Sequence, residues 1–355
     1  MLDSIIVGYG LAGFHFAWQL KQQNKKYLII SNNSPGSSRT AAGICNPTVL
    51  KRYTMAWQGA DFLNYAIPHY QRCEDELQAP IFDLLPIHRY FYKSVEQNDW
   101  LVAAQREGLS SYLIPKPVLT SAPYLKRNAG YGIVKSVGRL RINSLLNHFQ
   151  NQSDPATFKT EEFDYKALEV FKDKISYQGI EAKNIIFCEG SLLNKNPWFN
   201  YLPLLGSKGE SLEIKAPGLP RNEIMKASLF ISPIKEELFW VGASFSPKDK
   251  DHSPTVKGKE WLLKRLGEFI TIPFEIVSHN AAIRPTVLDR RPLLGAHPEH
   301  SNVYVFNGLG TRGVLMAPML SKWLYESIHE GKQIPQEVAI DRFESYFCRP
   351  NKIHV

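Results

Sequence analysis

Cysteine is scarce in this 355-residue chain, which has four: Cys45, Cys73, Cys188 and Cys348. None forms a C-x-x-C pair or stands at metal-ligand spacing. This argues against a disulfide framework, offers no metal site and predicts a reduced, cytoplasmic protein. No stretch approaches the roughly 18 uninterrupted apolar residues of a membrane span, and no charged-then-apolar leader precedes the first apolar run. Internal repeats and low-complexity tracts are absent. So is a long Lys/Arg block, although the net charge is +8. Short clusters remain at Lys51-Arg52, Lys126-Arg127 and Arg290-Arg291. They permit an acidic partner such as nucleic acid, with a solvated basic surface as the plainer alternative. A hydrophobic content of 44% and an aromatic content of 12% fit a packed globular enzyme, and the length allows two domains.

The strongest signal opens the chain. An apolar run, Ile5-Ile6-Val7, feeds into Gly8-Tyr9-Gly10-Leu11-Ala12-Gly13 and then an apolar helix start at Phe14, Phe16, Ala17 and Leu20. In a βαβ unit, Gly8 makes the tight turn. Gly10 lets a pyrophosphate reach the backbone, and Gly13 lets helix and strand pack closely. The helix N-terminus then holds phosphate with free N–H groups and its dipole. An ordinary strand–turn–helix is the alternative. A second apolar strand, Tyr27 to Ile30, arrives at the right distance. The acidic residue expected after it, for a ribose hydroxyl, is replaced by Ser31-Asn32-Asn33, and the nearest arginine is Arg39. The motif alone leaves NAD, NADP and FAD open.

Further along, a loop covers 32–43, and 57–78 reads as a helix interrupted by Pro68. Short β-like runs fill 81–135, and an apolar helix follows at 144–149. Strands are expected at 183–187, 209–215, 228–233 and 237–243, and a helix over 257–270. A strand at 303–306 runs into Asn307-Gly308-Leu309-Gly310-Thr311-Arg312-Gly313. The helix after it is expected over 317–329, with Pro318 near its first turn. This second glycine-rich turn repeats the logic of the first, since its N–H groups can stabilise a negative atom. Parallel α/β layers at both ends with antiparallel material between predict an α/β fold with α+β insertions: a discontinuous nucleotide-binding domain and a second domain inserted twice.

These residues resemble the D-amino-acid oxidase-like family of FAD-dependent amine oxidoreductases, in particular its glycine oxidase branch and the FAD domains of bifunctional enzymes that modify wobble uridine in tRNA. Seven ordered blocks carry the resemblance: 5–13, 37–44, 185–190, 206–210, 238–244, 284–295 and 308–318. It implies a Rossmann-type FAD-binding domain over 1–84, 137–196 and 279–355, and an antiparallel-sheet substrate domain over 85–136 and 197–278. The cofactor contacts it implies are Gly8, Gly10, Leu11, Ala12, Gly13, Ser31, Asn32, Arg39, Thr40, Ala42, Gly43, Ile44, Phe163, Cys188, Glu189, Gly190, Arg284, Gly308, Leu309, Gly310, Thr311, Arg312, Gly313 and Val314. Ala282 stands where some members carry a flavin-linking cysteine, so FAD is expected to be non-covalent.

The resemblance implies that Arg284 grips a substrate carboxylate through a two-bond guanidinium fork. A structural salt bridge to Asp289 or Glu210 is the alternative. Phe230 stands where a carboxylate-binding tyrosine is usual and lacks the hydroxyl. Phe245 and Ile44 match apolar positions beside the flavin ring, where they shape a pocket or fill core. Thr311 to Val314 would stabilise the reduced ring. The implied reaction is oxidation of a C–N bond in an amino acid or secondary amine by hydride transfer to flavin, with hydrolysis of the imine. Oxygen or another molecule serves as electron acceptor. The G-x-G-x-R-G form of the last block keeps a tRNA wobble-uridine side chain as the alternative substrate, with Lys51, Arg52, Lys126 and Arg127 as phosphate contacts. The oligomeric state is left open.

Overall fold

Four strands end level with one another because their apolar residues are in register. In the computed structural model, which describes residues 1–126 and 128–347, Val7 stands opposite both Ile30 and Phe187, and Phe187 opposite Val305. The strands Leu2–Val7, Tyr27–Ser31, Ile180–Phe187 and His300–Asn307 are parallel neighbours, with Phe158–Thr160 parallel at the edge beside Tyr27–Ser31. Continuous apolar runs such as Ile5-Ile6-Val7 suit a parallel sheet buried on both faces, and Ile5, Ile6, Ile185 and Ile186 are fully buried. The hairpin strand Leu293–His297 pairs antiparallel with His300–Asn307, and Leu168–Val170 and Ile175–Tyr177 extend the sheet antiparallel beyond Ile180–Phe187.

The chain divides into two units. This parallel-sheet unit comprises Met1–Arg39, Ile142–Ser207 and Ile283–Val355, and the other comprises Thr40–Arg141 and Lys208–Ala282. The second unit is built on an eight-stranded, mainly antiparallel sheet in the order Glu275–Arg284, Ser207–Lys215, Leu238–Gly242, Phe230–Lys235, Ile224–Lys226, Ile87–Tyr90, Tyr131–Val134, Leu113–Val118. Leu212, Ile214, Met225, Ile231, Phe239 and Val241 form its core together with Leu262 and Leu266 of the helix Val256–Gly267.

Several expectations are corrected. Residues 40–84, 137–141 and 279–282 group with the antiparallel unit, and 197–207 with the parallel-sheet unit. The reason is pairing: Ile44–Cys45 and Phe82–Leu84 flank Gly138–Leu140 in one small sheet. Pro68 does not interrupt its helix, which runs unbroken over Gly59–Leu77. The stretch 81–135 also holds a helix, Val95–Ala104, anchored by buried Trp100, Ala103 and Ala104. The last long helix starts at Gly313, not 317, so Pro318 lies in its second turn.

Candidate functional site

The turns leaving the level strand ends collect at one edge of the parallel sheet, the edge where open α/β sheets bind ligands. The first is Gly8–Gly13. Gly8 has φ +100°, and a Cβ there would lie 2.6 Å from the Cys188 carbonyl oxygen. Gly8 N–H donates to Ile30 O at 2.8 Å, and Cys188 N–H to Val7 O at 2.7 Å. A Cβ at Gly13 would fall 2.0 Å from Gly8 O, so only glycine lets the helix Leu11–Gln22 sit this close to its strand. A Cβ at Gly10 would lie 2.8 Å from Ser38 Oγ, which accepts from Leu11 N–H at 3.0 Å. The helix has no acidic residue in its first turn.

The second turn follows His300–Asn307. Gly308 has φ +74°, and Asn307 Oδ1 accepts from its N–H at 2.7 Å. The same Asn307 donates Nδ2 to Gly190 O at 3.0 Å, tying this turn to Cys188-Glu189-Gly190. The sequence reading passed over Asn307; its signal was an amide at a strand end directly before a positive-φ glycine. Gly310 N–H donates to Pro285 O at 3.0 Å, which brings the Arg284-Pro285 segment alongside. Helix Gly313–Glu330 again has no acid in its first turn. A Cβ at Gly313 would stand 3.1 Å from Leu11 Cδ1, so the N-termini of the two long helices are adjacent. The helices stay together further on, where Gln19 Nε2 donates to Ser321 Oγ at 3.4 Å.

Two acid-free helix N-termini side by side place positive partial charge at one spot. Beside them lie glycines whose Cβ atoms would strike neighbouring main chain. This cradle fits the pyrophosphate of a dinucleotide.

The other named residues divide by what their side chains do. Ser31 Oγ accepts from Asn33 N–H at 3.3 Å, and Asn32 Oδ1 from Ser34 N–H at 3.0 Å, so both serve the strand-end turn where a carboxylate was missing. Arg39 donates to Asn147 Oδ1 at 3.0 Å and Asn143 Oδ1 at 3.4 Å. The Phe163 ring belongs to the core, stacked on Tyr177 at 4.4 Å, leaving its main chain for any cofactor contact. Burial pushes the Cys188 thiol up, so it stays neutral. Burial also pushes the Glu189 carboxyl up to about 7, against hydrogen bonds from Asn196 and Tyr165 that lower it. Asn196 Nδ2 donates to that carboxylate at 2.7 Å, and the Tyr165 hydroxyl donates to its other oxygen. Leu11, Ala12, Leu309 and Val314 are buried, Arg312 is half-buried and Thr311 is exposed.

Arg284 is the half-buried last residue of Glu275–Arg284, and burial lowers its guanidinium from the ordinary arginine range. Asp289 and Glu210 each have other partners. Asp289 pairs with Arg342 Nε at 2.9 Å. Glu210 pairs with His279 Nε2 at 2.9 Å and accepts from Thr255 N and Oγ1.

In the antiparallel unit, a Cβ at Gly43 (φ +82°) would lie 1.9 Å from Leu140 O. Arg139 Nε donates to Ala42 O at 3.0 Å, Leu140 N–H to Gly43 O at 2.8 Å and Trp240 Nε1 to Thr40 O at 3.0 Å, so this loop is pinned at three points. Ile44 is half-buried opposite Arg139. Phe230 is half-buried, whereas Phe245 is 70% exposed, which removes the core-filling alternative for Phe245. Lys51, Arg52 and Lys126 are exposed. Arg127 and Cys348 lie outside the described residues.

The model of the family described as FAD dependent oxidoreductase matches residues 3–327. The chain belongs to that family. Glycine oxidase of Bacillus subtilis is 22% identical over 97% of this chain and 98% of its own length. A tRNA 5-methylaminomethyl-2-thiouridine biosynthesis bifunctional protein of Idiomarina loihiensis is 26% identical over 90% of this chain, which spans 54% of that protein. Among solved structures, iminodiacetate oxidase from Chelativorans sp. BNC1 superposes with a TM-score of 0.77 at 18% identity, covering 96% of this chain and 98% of that one. Glycine oxidase from Geobacillus kaustophilus gives 0.73 at 19% identity, covering 96% and 97%. The protein is therefore a flavoprotein whose cofactor is FAD. Among the described residues, no helix is long and apolar enough to cross a membrane.

Proposed function

We propose that this FAD-dependent oxidoreductase oxidises the C–N bond of a small amino acid or secondary amine that bears a carboxylate. The observation that carries the reading is the Gly310 N–H to Pro285 O bond of 3.0 Å, which sets Arg284 beside the second glycine turn. That arrangement brings a guanidinium, suited to a carboxylate, to the turn proposed to hold the reactive end of the cofactor. FAD, held non-covalently, supplies the two-electron acceptor for the oxidation. The first helix N-terminus, with Gly8, Gly10 and Gly13, binds pyrophosphate. The main chain of Thr311 to Val314, opening the second helix, stabilises negative charge at the ring. Arg284 orients the substrate by its carboxylate. The product imine is hydrolysed to a carbonyl compound and a free amine, and oxygen or another acceptor removes the electrons. The family likeness to glycine oxidase and iminodiacetate oxidase supports the reaction type.

Incubating the FAD-loaded protein with glycine, sarcosine and proline, then measuring carbonyl product and hydrogen peroxide, tests the reading. Product from at least one is expected. No carbonyl product from any, with FAD retained, refutes it.

A second reading is oxidation of a tRNA wobble-uridine side chain, favoured by the likeness to the bifunctional tRNA protein and by exposed Lys51, Arg52 and Lys126. Under that reading, tRNA binding weakens steeply with salt as phosphate contacts release counterions. Absence of binding at low salt removes it.

A further inference from the structure

One hairpin of the parallel-sheet unit turns on two residues. Leu293–His297 and His300–Asn307 pair antiparallel, with His297 opposite His300 and Pro298-Glu299 between them. Proline pre-sets the backbone for the first corner of such a turn. Residues directly opposite on an antiparallel pair share a face about 5 Å apart, and the two imidazole rings stand 5.1 Å apart, 35° from parallel. Glu299 adds a carboxylate at the same turn. One donor atom from each of His297, Glu299 and His300 lies within 4.8 Å of the other two. The cysteines offer no metal site, and this cluster exists only once the hairpin brings its histidines together.

The surroundings hold one ligand and leave the others accessible. His297 is buried, its ring edge-on to Trp198, Phe199 and Phe347. His300 is half-buried against Trp198, and Glu299 is exposed, so solvent reaches the cluster from the Glu299 side. Glu299 N–H donates to His297 Nδ1 at 3.2 Å, the long limit of such a bond, so that lone pair is lightly held. In the same group of rings, Trp198 Nε1 and the Tyr201 hydroxyl are buried without a hydrogen-bond partner among the described residues, a mark of a place that an ion and its water complete.

We propose that His297, Glu299 and His300 bind one divalent cation of the zinc type. Two imidazoles and a carboxylate suit zinc and its late first-row neighbours, whereas calcium and magnesium take oxygen ligands. Donors about 2.0–2.2 Å from zinc stand roughly 3.4 Å from one another. Rotation of the exposed Glu299 and the half-buried His300 closes the cluster to that spacing, and water takes the fourth position. The site lies away from the cofactor cradle: His300 opens the strand that Asn307 ends, and strand residues rise about 3.3 Å each, which separates the two by about 23 Å. The ion is therefore a staple for the hairpin and takes no part in flavin chemistry.

Equilibrium dialysis of the untagged, FAD-loaded protein against zinc, with metal analysis, tests this. One zinc per chain is expected at micromolar free ion, undisturbed by excess calcium. Glu299→Gln and His300→Phe, the latter keeping a ring against Trp198, are each expected to weaken zinc binding at least about tenfold with flavin content unchanged. Zinc is also expected to raise the melting temperature of the wild-type protein, because it binds the folded hairpin, and to lose that effect in Glu299→Gln. Absence of stoichiometric zinc on the wild-type protein, a result that needs no variant, overturns the proposal. So does wild-type zinc affinity in either variant, and Glu299→Gln alters an exposed side chain that the fold does not need. None of these results bears on the oxidation reading, which the carbonyl and peroxide assay tests separately.

Discussion

Replacing Gly13 by alanine tests the cofactor cradle where its geometry is tightest. The new Cβ would fall 2.0 Å from Gly8 O, and real Cβ atoms essentially never approach closer than 3.0 Å. The helix Leu11–Gln22 and its strand must therefore separate by about 1 Å in a buried, close-packed layer. Overpacking of this kind costs about 1–3 kcal/mol. At about 2–4 °C per kcal/mol for a domain of this size, the melting temperature falls by roughly 2–12 °C. The same movement pulls the Ala12 N–H group off a pyrophosphate. Losing one hydrogen bond to a charged group is worth about 1.5–3 kcal/mol, so FAD binds at least about tenfold more weakly. The assays are thermal unfolding with and without added FAD, and the ratio of flavin to protein absorbance after gel filtration. Gly267→Ala is the control, since a Cβ there meets nothing within 4 Å. A Gly13→Ala protein with wild-type flavin content and melting temperature would refute the reasoning, because the glycine would then not be required by a close main-chain approach.

Arg284→Ala is expected to raise KM for a carboxylated amine by about a hundredfold, the loss of a two-bond ionic contact, while flavin content stays at the wild-type level; steady-state kinetics and absorbance spectra check both. Glu189 carries the pH dependence. Its carboxyl is raised from 4.5 to about 7, so between those values the folded chain keeps a proton that the unfolded chain has released, and stability falls as pH rises through that window. The loss from this group reaches at most about 3 kcal/mol above pH 7. Glu189→Gln should therefore flatten the fall in melting temperature between pH 5 and pH 8, and an unchanged slope would show that the carboxyl does not titrate there.

What could be read from the sequence was what main-chain geometry demands of side chains. Gly8 and Gly13 are required by main-chain approaches of 2.6 and 2.0 Å that any Cβ would block, and such glycines stand out in the sequence. The buried parallel strands were equally plain, because continuous apolar runs have few other uses. Proline misled in both helices. Pro318 suggests a helix start although the helix begins at Gly313, and Pro68 suggests an interruption within a helix held by buried Phe62, Leu63, Tyr70 and Cys73. The strand Glu275–Arg284 was invisible because it is exposed or half-buried over most of its length and shows no clean alternation. Its partner strand, Ser207–Lys215, lies far away in sequence. Residues 40–84 group with the antiparallel unit through pairing with Gly138–Leu140, a long-range contact that local pattern does not encode. Asn307 is hard to read from sequence because an amide has a commoner role at a strand end.

The central claim is that this chain takes electrons from a carboxylated amine. The direct measurement is anaerobic mixing of the FAD-loaded protein with glycine, sarcosine, D-amino acids, proline and undermodified tRNA, following loss of the oxidised flavin band. Bleaching by at least one carboxylated small amine is predicted, with the rate at low substrate concentration sharply reduced in Arg284→Ala. Bleaching by tRNA alone, or a flavin that none of them reduces, would contradict the account.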